Sequence, residues 1–455
     1  MARYPSAFLL AALMAASISV PVLAEEAEAP KGLWERDTLT GDWGGLRSQA
    51  EDAGLKIGGT YTAEILGNPK GGNKQRAVAT GNLQLDLDAD FAKLADWQGL
   101  TFHLTALSLH GRGLGSNFVG SLFAVRDIEA APNTRIWSLW LQQKFAGDAA
   151  SIRLGQMPWQ DEFMTSAYGA TFLNGAFGWP GGFSANLVNG GGGYPFSTTG
   201  ARLSVQPMDK TTLLFGVWDG DPAAGNIRGQ DPSRKNTDGL NVRLKTPPVY
   251  LMEADYGDDK DAEGLPAMLK LGALIHSGRF DDPHWATNGV SLGSPNSSGI
   301  PAPRRGNWLL YGVADVMLWR DADAPKRNIG AFVRLVGGPD DRNQTPYYAD
   351  TGLNWQGLIE DREDDIAGIG LAYGRMSRAL AAQDRDSIRT GNSFGPVRDY
   401  EMVVEGTYRA QITPWWTVVP DAQYIVHPGG GAAWQGTSSR IPDAWVLGLR
   451  SVFKL

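Results

Sequence analysis

Between Asn82 and Phe91 the chain reads N-L-Q-L-D-L-D-A-D-F, and every second residue is apolar. Leu83, Leu85, Leu87, Ala89 and Phe91 share one side of an extended chain; Asn82, Gln84, Asp86, Asp88 and Asp90 share the other. Helical periodicity would mix these sets, while a period of two separates them, so the segment is predicted as a strand. Similar alternation recurs around 55–67, 99–110, 134–145, 150–157, 199–207, 210–218, 238–246 and 249–257. It continues around 267–278, 307–320, 328–337, 364–376, 399–412, 415–427 and 443–455, which with 81–92 makes sixteen segments.

Many connectors are tight: Gly147-Asp148, Met208-Asp209, Pro247-Pro248 and Thr413-Pro414. They mostly alternate with long ones at 111–133, 158–198, 219–237 and 377–398. Short turns at one end and long loops at the other is the layout of an outer-membrane β-barrel, and a soluble sandwich has no reason for it. The parity fails in one region. Residues 279–306 and 338–363 fall where short turns belong, yet both are long. Tyr347 to Leu358 alternates well enough to be a further strand, which would make seventeen. A single-chain bacterial barrel closes with an even number, so an assignment between 246 and 364 is misplaced.

The end of the chain repeats the pattern. In W-V-L-G-L-R-S-V-F-K-L, Trp445, Leu447, Leu449, Phe453 and Leu455 share one face, with Arg450 and Lys454 opposite. In P-D-A-Q-Y-I-V-H-P-G-G, Ala422, Tyr424 and Val426 alternate with Asp421, Gln423 and His427, and only Ile425 breaks the polar side. In a barrel the apolar face meets lipid, with Trp445 and Phe453 near the two interfaces, and the polar face meets a wet lumen. Pro428-Gly429-Gly430 then begins a surface loop.

Composition agrees. The chain holds 58 Gly, 16 Trp and 13 Tyr, and no stretch after the leader approaches eighteen consecutive apolar residues, so helical spans are excluded. Arg3, the apolar run Ala7 to Val20, and the small residue Ala24 before Glu25-Glu26 describe a signal peptide over 1–24. Residues 25–54 are expected as a periplasmic segment carrying a short helix over Trp43 to Ala53, capped by Asp42 and stopped by Gly54. Residues 55–455 form the barrel. The absence of cysteine rules out disulfides and thiolate metal sites. With 41 basic and 49 acidic side chains, nucleic acid is not a plausible partner.

Three stretches carry a family resemblance. D-x-x-T-G-D-W-G-G-L-R (Asp37 to Arg47), R-L-G-Q (153–156) with D-E-F (161–163) and F-L-N (172–174), and P-D-A-Q-Y-I-x-x-P-G-G (420–430) resemble the carbohydrate-selective porins of the OprB type. The resemblance runs from about residue 34 to the C-terminus. It implies a sixteen-stranded barrel in the outer membrane of a Gram-negative bacterium, passing mono- or small oligosaccharides by diffusion. Its other partners would be outer-membrane lipids and the barrel assembly machinery, as a monomer or homotrimer. The last residue, Leu455, departs from the Phe that usually ends such barrels but keeps its outward apolar phase.

Catalytic chemistry is sparse. Of five histidines, His103 and His427 alternate inward, and none has a serine partner or a G-x-S-x-G elbow. Asp258, Asp259 and Asp261 lack the spacing of a calcium loop. Gly190 to Gly193 lacks the strand and helix that a phosphate cradle needs. No enzyme and no cofactor are expected.

The lumen says more. Strand phase turns Asp86, Asp88, Asp90, Glu253, Asp255, Glu401, Glu405 and Asp421 inward, together with Lys144, Arg153, Arg202, Arg243, Lys245, Arg334, Arg409 and Arg450. An anion channel would show a basic excess; a balanced lumen suits neutral polyhydroxyl solutes, though any porin keeps both charges to hold water. The loop 158–198 is long enough to be functional. Folded inward, it would narrow the pore with Trp159, Asp161, Glu162, Phe163, Phe172, Asn174 and Trp179, opposite Arg153, Arg334, Glu401, Glu405 and Arg409 on the wall. Each aromatic could instead pack the loop against the wall. The rival readings are a general or anion-preferring porin and, from another class, a barrel hydrolase or adhesin.

Overall fold

A computed structural model describes residues 32–223, 232, 236–240 and 242–455. The signal peptide expected over 1–24 lies outside the described residues. The strands are β1 (Leu55–Lys70), β2 (Ala77–Asp90), β3 (Leu100–Gly111) and β4 (Asn133–Phe145). Next come β5 (Ala150–Met157), β6 (Thr198–Met208), β7 (Thr211–Asp219) and β8 (Pro248–Gly257). They continue as β9 (Ala267–Ala286), β10 (Pro301–Arg320), β11 (Asn328–Gly337) and β12 (Tyr347–Gln356). The last four are β13 (Ile366–Arg375), β14 (Tyr400–Thr413), β15 (Trp416–Val426) and β16 (Ala444–Lys454). Each pairs antiparallel with its sequence neighbours, and β16 returns to β1 to close the barrel. Closure leaves no unpaired edge, which lipid demands of any sheet that crosses it.

Register fixes the two faces. Glu405 pairs with Gln423 and Thr407 with Asp421, and all four are buried on the inside. On the outside Ile65, Leu335, Leu447 and Leu449 are exposed, as lipid-facing residues must be. Aromatic girdles frame this belt. Tyr424 packs on Trp445 at 4.9 Å at the loop end, and Phe453 lies within 6.4 Å of both Trp415 and Trp416 at the turn end.

Two assignments are corrected. Among the described residues, 238–246 carries no strand: β7 pairs directly with β8. The Asp219 carboxylate takes the Lys245 and Thr246 amides, so this stretch lends its alternation to no ladder, and Leu240, Val242 and Leu244 stand exposed. Arg243 and Lys245 therefore leave the inward tally; Arg243 instead donates to the Asp221 carbonyl at 2.8 Å. Conversely, 347–356 is a strand, β12. The count stays at sixteen and the parity is restored. Residues 287–300 become a loop at the long-loop end, and 338–363 divides around β12.

Before β1, a 3-10 turn (Trp43–Gly45) leads into α1 (Leu46–Asp52), replacing the single helix expected over 43–53. Asp42 does not cap the turn; its carboxylate accepts from Ser48 N at 2.9 Å and Ser48 Oγ at 2.8 Å. Arg47 donates to Thr38 Oγ1 at 2.6 Å and to the carbonyl of the last residue, Leu455, at 3.0 Å. The glycine-rich motif thus clasps the end of the chain. Three other helices matter below: α2 (Phe91–Ala95), α3 (Gly181–Ser184) and α4 (Arg378–Arg389). Asp90 accepts the Ala92 amide and caps α2, so it serves a turn.

Candidate pore constriction

Two loops turn into the barrel, 112–132 between β3 and β4 and 158–197 between β5 and β6. Acidic side chains on the inner wall hold them by their backbone amides. Glu253 accepts from Met164 N (2.7 Å), and Asp315 accepts from Ser166 Oγ (2.5 Å) and Ala167 N (2.9 Å). Glu405 accepts from Leu173 N (2.6 Å) and Asn174 N (2.9 Å). Glu401 accepts from Leu122 N (2.7 Å), Phe123 N (2.8 Å) and Gly429 N (2.6 Å). Arg334 plays the complementary part, donating to the carbonyls of Met164, Ala176, Phe177 and Gly178 at 2.9–3.1 Å and pairing with Asp350 at 2.5 Å. Charged partners strengthen such bonds, and burial makes breaking them costly.

Apolar packing completes the seal. Trp159, Phe163 and Trp218 cluster with ring centroids 5.6–6.1 Å apart, and Phe172 packs on Phe177 at 4.7 Å and Phe332 at 6.0 Å. The wall makes room with inward glycine. A Cβ on Gly370 would sit 2.8 Å from Phe177, and one on Gly352 would sit 2.7 Å from Phe332 and 2.9 Å from Phe172.

Six of the ten candidate pore residues are therefore sealed between loop and wall. Trp159, Phe163, Asn174, Arg334, Glu401 and Glu405 are all at most 1 % exposed, so no solute in the channel can touch them. The expected stacking surface of Trp159 and Phe163, and the hydroxyl-orienting role of Glu401 and Glu405, are corrected on that ground. Arg153, Asp161, Glu162 and Arg409 keep exposed surface.

What stays open lies along β2 to β6, together with Arg409 and the loop edge at Asp127. His103 stacks on Trp140 at 4.8 Å, and the Arg153 guanidinium lies 3.8 Å from the centre of the Trp140 ring. Gln142 accepts from Arg153 (3.0 Å) and Arg202 (2.8 Å). Glu162, carried in by the loop, pairs with Arg202 at 2.5 Å and Arg153 at 3.2 Å. Asp88 bonds His103 at 2.6 Å. From the far strands Arg450 pairs with Glu64 and with the loop residue Asp127, while Arg126, a sealed residue of the same loop, pairs with Asp421 at 2.5 Å. Among the described residues Arg409 makes no ion pair and no side-chain hydrogen bond; its charged neighbours are Arg450 and Asp127. Below the loop, at the turn end, lies a cavity of about 1200 Å³ lined by Asp255, Asp315, Lys270, Lys210 and Tyr168 among others.

Trp140, Gln142 and Asp127 were not singled out from sequence. Trp140 was within reach, since it has the inward phase of β4 opposite His103 on β3. Asp127 was not, because a loop carries no phase.

The closed barrel has known counterparts. The profile of a family described as carbohydrate-selective porin, OprB family, matches residues 74–455. Porin B of Pseudomonas aeruginosa is 24% identical over 443 residues, covering 92% of each chain. The high-pH structure of Pseudomonas putida OprB superposes with a TM-score of 0.83 at 21% identity, over 93% of this chain and all of that one. The low-pH structure of the same protein gives 0.56 at 17% identity, over 92% and 99%.

Proposed function

Because this chain belongs to the carbohydrate-selective porin, OprB family, and its family and fold point to an outer-membrane channel, we propose where and how it selects sugars. The constriction is the ledge made by His103, Trp140, Arg153, Gln142 and Glu162, backed by the buried Arg202, with Asp161 at its rim and Arg409 on the far strands. The observation that carries this reading is the stack of His103, Trp140 and Arg153, at 4.8 Å and 3.8 Å, beside amide and carboxylate oxygens. A pyranose presents an apolar C–H face and a hydroxyl edge. An aromatic step flanked by fixed donors and acceptors matches both.

The charges on the ledge mostly neutralise one another, which suits a neutral solute and disfavours binding tight enough to stop conduction. Solutes leaving the ledge reach the turn-end cavity and then the periplasm. During assembly, the exposed apolar face of β16 is the surface offered to the barrel assembly machinery. Swelling of liposomes bearing the protein tests the site: Trp140→Ala and Arg153→Gln should slow sugar entry relative to an uncharged solute of equal mass. Unchanged ratios in both folded variants would move the site elsewhere. Arg409, with no ion-pair partner among the described residues, favours a second reading, mild anion preference. A salt-gradient reversal potential near zero in the protein, unaltered by Arg409→Gln, would discard it.

A further inference from the structure

β9 and β10 outgrow their neighbours. Each has 20 residues, while β8 last pairs at Val249 with His276 and β11 at Gly337 with Leu310. Just past those points Arg279 and Arg305 sit opposite one another as register partners. Both are exposed and both point outward. Arg279 shares the phase of the lipid-facing Leu271 and Ile275, whereas His276 and Phe280 between them are buried. Arg305 reaches the outer face only through a register shift between Arg305 and Asn307; plain alternation from the lipid-facing Trp308 would turn it inward. A bulge that re-aims one side chain in this way is a device of function more often than a flaw.

Two like charges opposite each other on one face destabilise a sheet. Three nearby arginines are neutralised: Arg304 by Asp282 at 2.5 Å, Arg342 by Asp341 at 2.8 Å, and Arg375 by Asp340 at 3.5 Å. Among the described residues Arg279 and Arg305 make no such pair, and Asp281, next on that face, has a partner of its own. Ile275 and Trp308 are register partners and form the last lipid-facing row. Four further residues on a tilted strand, at about 3.3 Å each, raise the arginines roughly 10 Å, into the headgroup layer. The long loops mark this as the outer leaflet.

We propose that Arg279 and Arg305 clamp a phosphate of a phosphorylated glycolipid in the outer leaflet. Two guanidinium forks converging on one phosphate supply several charge-assisted hydrogen bonds and remove the repulsion between them. The acyl chains of the same lipid lie along Ile275, Leu271, Trp308 and Leu310. The bound lipid would also brace the outer face of the hairpin, which extends past the strands on either side.

The test is native mass spectrometry of the detergent-solubilised protein titrated with bisphosphorylated lipid A. Wild type should retain the lipid, and Arg279→Gln/Arg305→Gln should bind it about tenfold or more weakly while keeping heat-modifiable migration. Arg279→Lys/Arg305→Lys should fall between, since lysine lacks the fork. Arg389→Gln, an exposed arginine on α4, should bind as wild type does. Dephosphorylated lipid A should bind wild type as weakly as it binds the double variant. Equal retention by wild type and the folded double variant, or equal binding of the dephosphorylated lipid, overturns the proposal. So does full displacement of lipid A by millimolar inorganic phosphate, which would make the free ion the ligand.

Discussion

Glu405 has no exposed surface, and its two carboxylate oxygens accept the amides of Leu173 and Asn174. Glu405→Gln keeps the volume but leaves one loop amide without an acceptor, at a cost of about 1–3 kcal/mol. The loop should loosen, with larger and noisier single-channel currents and unchanged heat-modifiable migration. An unchanged current would mean that the loop does not set the constriction. Trp140 makes the opposite kind of test, because it is partly exposed and binds none of the loop's backbone, its ring meeting the side chains of His103 and Arg153 along the opening. If it covers about 40 Å² of a sugar's C–H face, its loss costs about 1 kcal/mol and weakens sugar block of the current about fivefold. Strand phase alone placed Arg153, Arg202 and Arg409 inside, as β5, β6 and β14 have them. It could not separate Glu405, sealed, from Arg153, open. That difference depends on the path of the loop, and so long a connector has no periodicity to read.

Strands were more legible than loops, because the period of two comes from the pleat itself. The exception is instructive. Leu240, Val242 and Leu244 alternate as well as many true strands, yet the Lys245 and Thr246 amides that follow them go to Asp219, while 347–356 alternates no better and pairs on both sides. Alternation records which residues prefer lipid and which prefer water. Pairing decides which stretches enter the sheet. The inward glycines of β12 and β13 belong to this scale too: abundant glycine was legible, but its purpose required the loop's phenylalanines to be in place. Gly370→Leu would drive a side chain into Phe172 and Phe177, overpacking the seal by about 1–3 kcal/mol, lowering the Tm and raising conductance together. A glycine that contacts no loop, Gly406, is the control, and Gly406→Ala should change neither.

Outside the membrane α4 is tied to the β9–β10 hairpin by His284, which bonds the Asp386 carboxylate at 2.8 Å. That bond holds the Asp386 carboxyl below its ordinary value. A lowered folded-state value means the stabilisation is fully present above the usual aspartate range, about 4, and is lost as pH falls through the lowered value. Amide exchange in 378–389 should therefore quicken only below about pH 4. Equal protection down to pH 2 would show that the bond does not hold the helix.

At the scale of the whole molecule, one idea joins these parts: a barrel whose lumen is narrowed by its own loops, leaving the ledge proposed for sugars. Its fold class and outer-membrane setting were legible from periodicity and the alternation of short and long connectors. The shape of the opening was not, because it is set by contacts between residues far apart in the chain, such as Arg126 with Asp421, 295 positions away. Selectivity is the property that separates this channel from a simple sieve. The most direct measurement is the swelling rate of liposomes across a panel of mono- and disaccharides, each matched with an uncharged non-sugar solute of equal mass. Sugars should enter faster than their matched partners, and Trp140→Ala should erase the difference. Rates that follow solute mass alone, for sugars and non-sugars alike, would contradict a sugar-selective ledge.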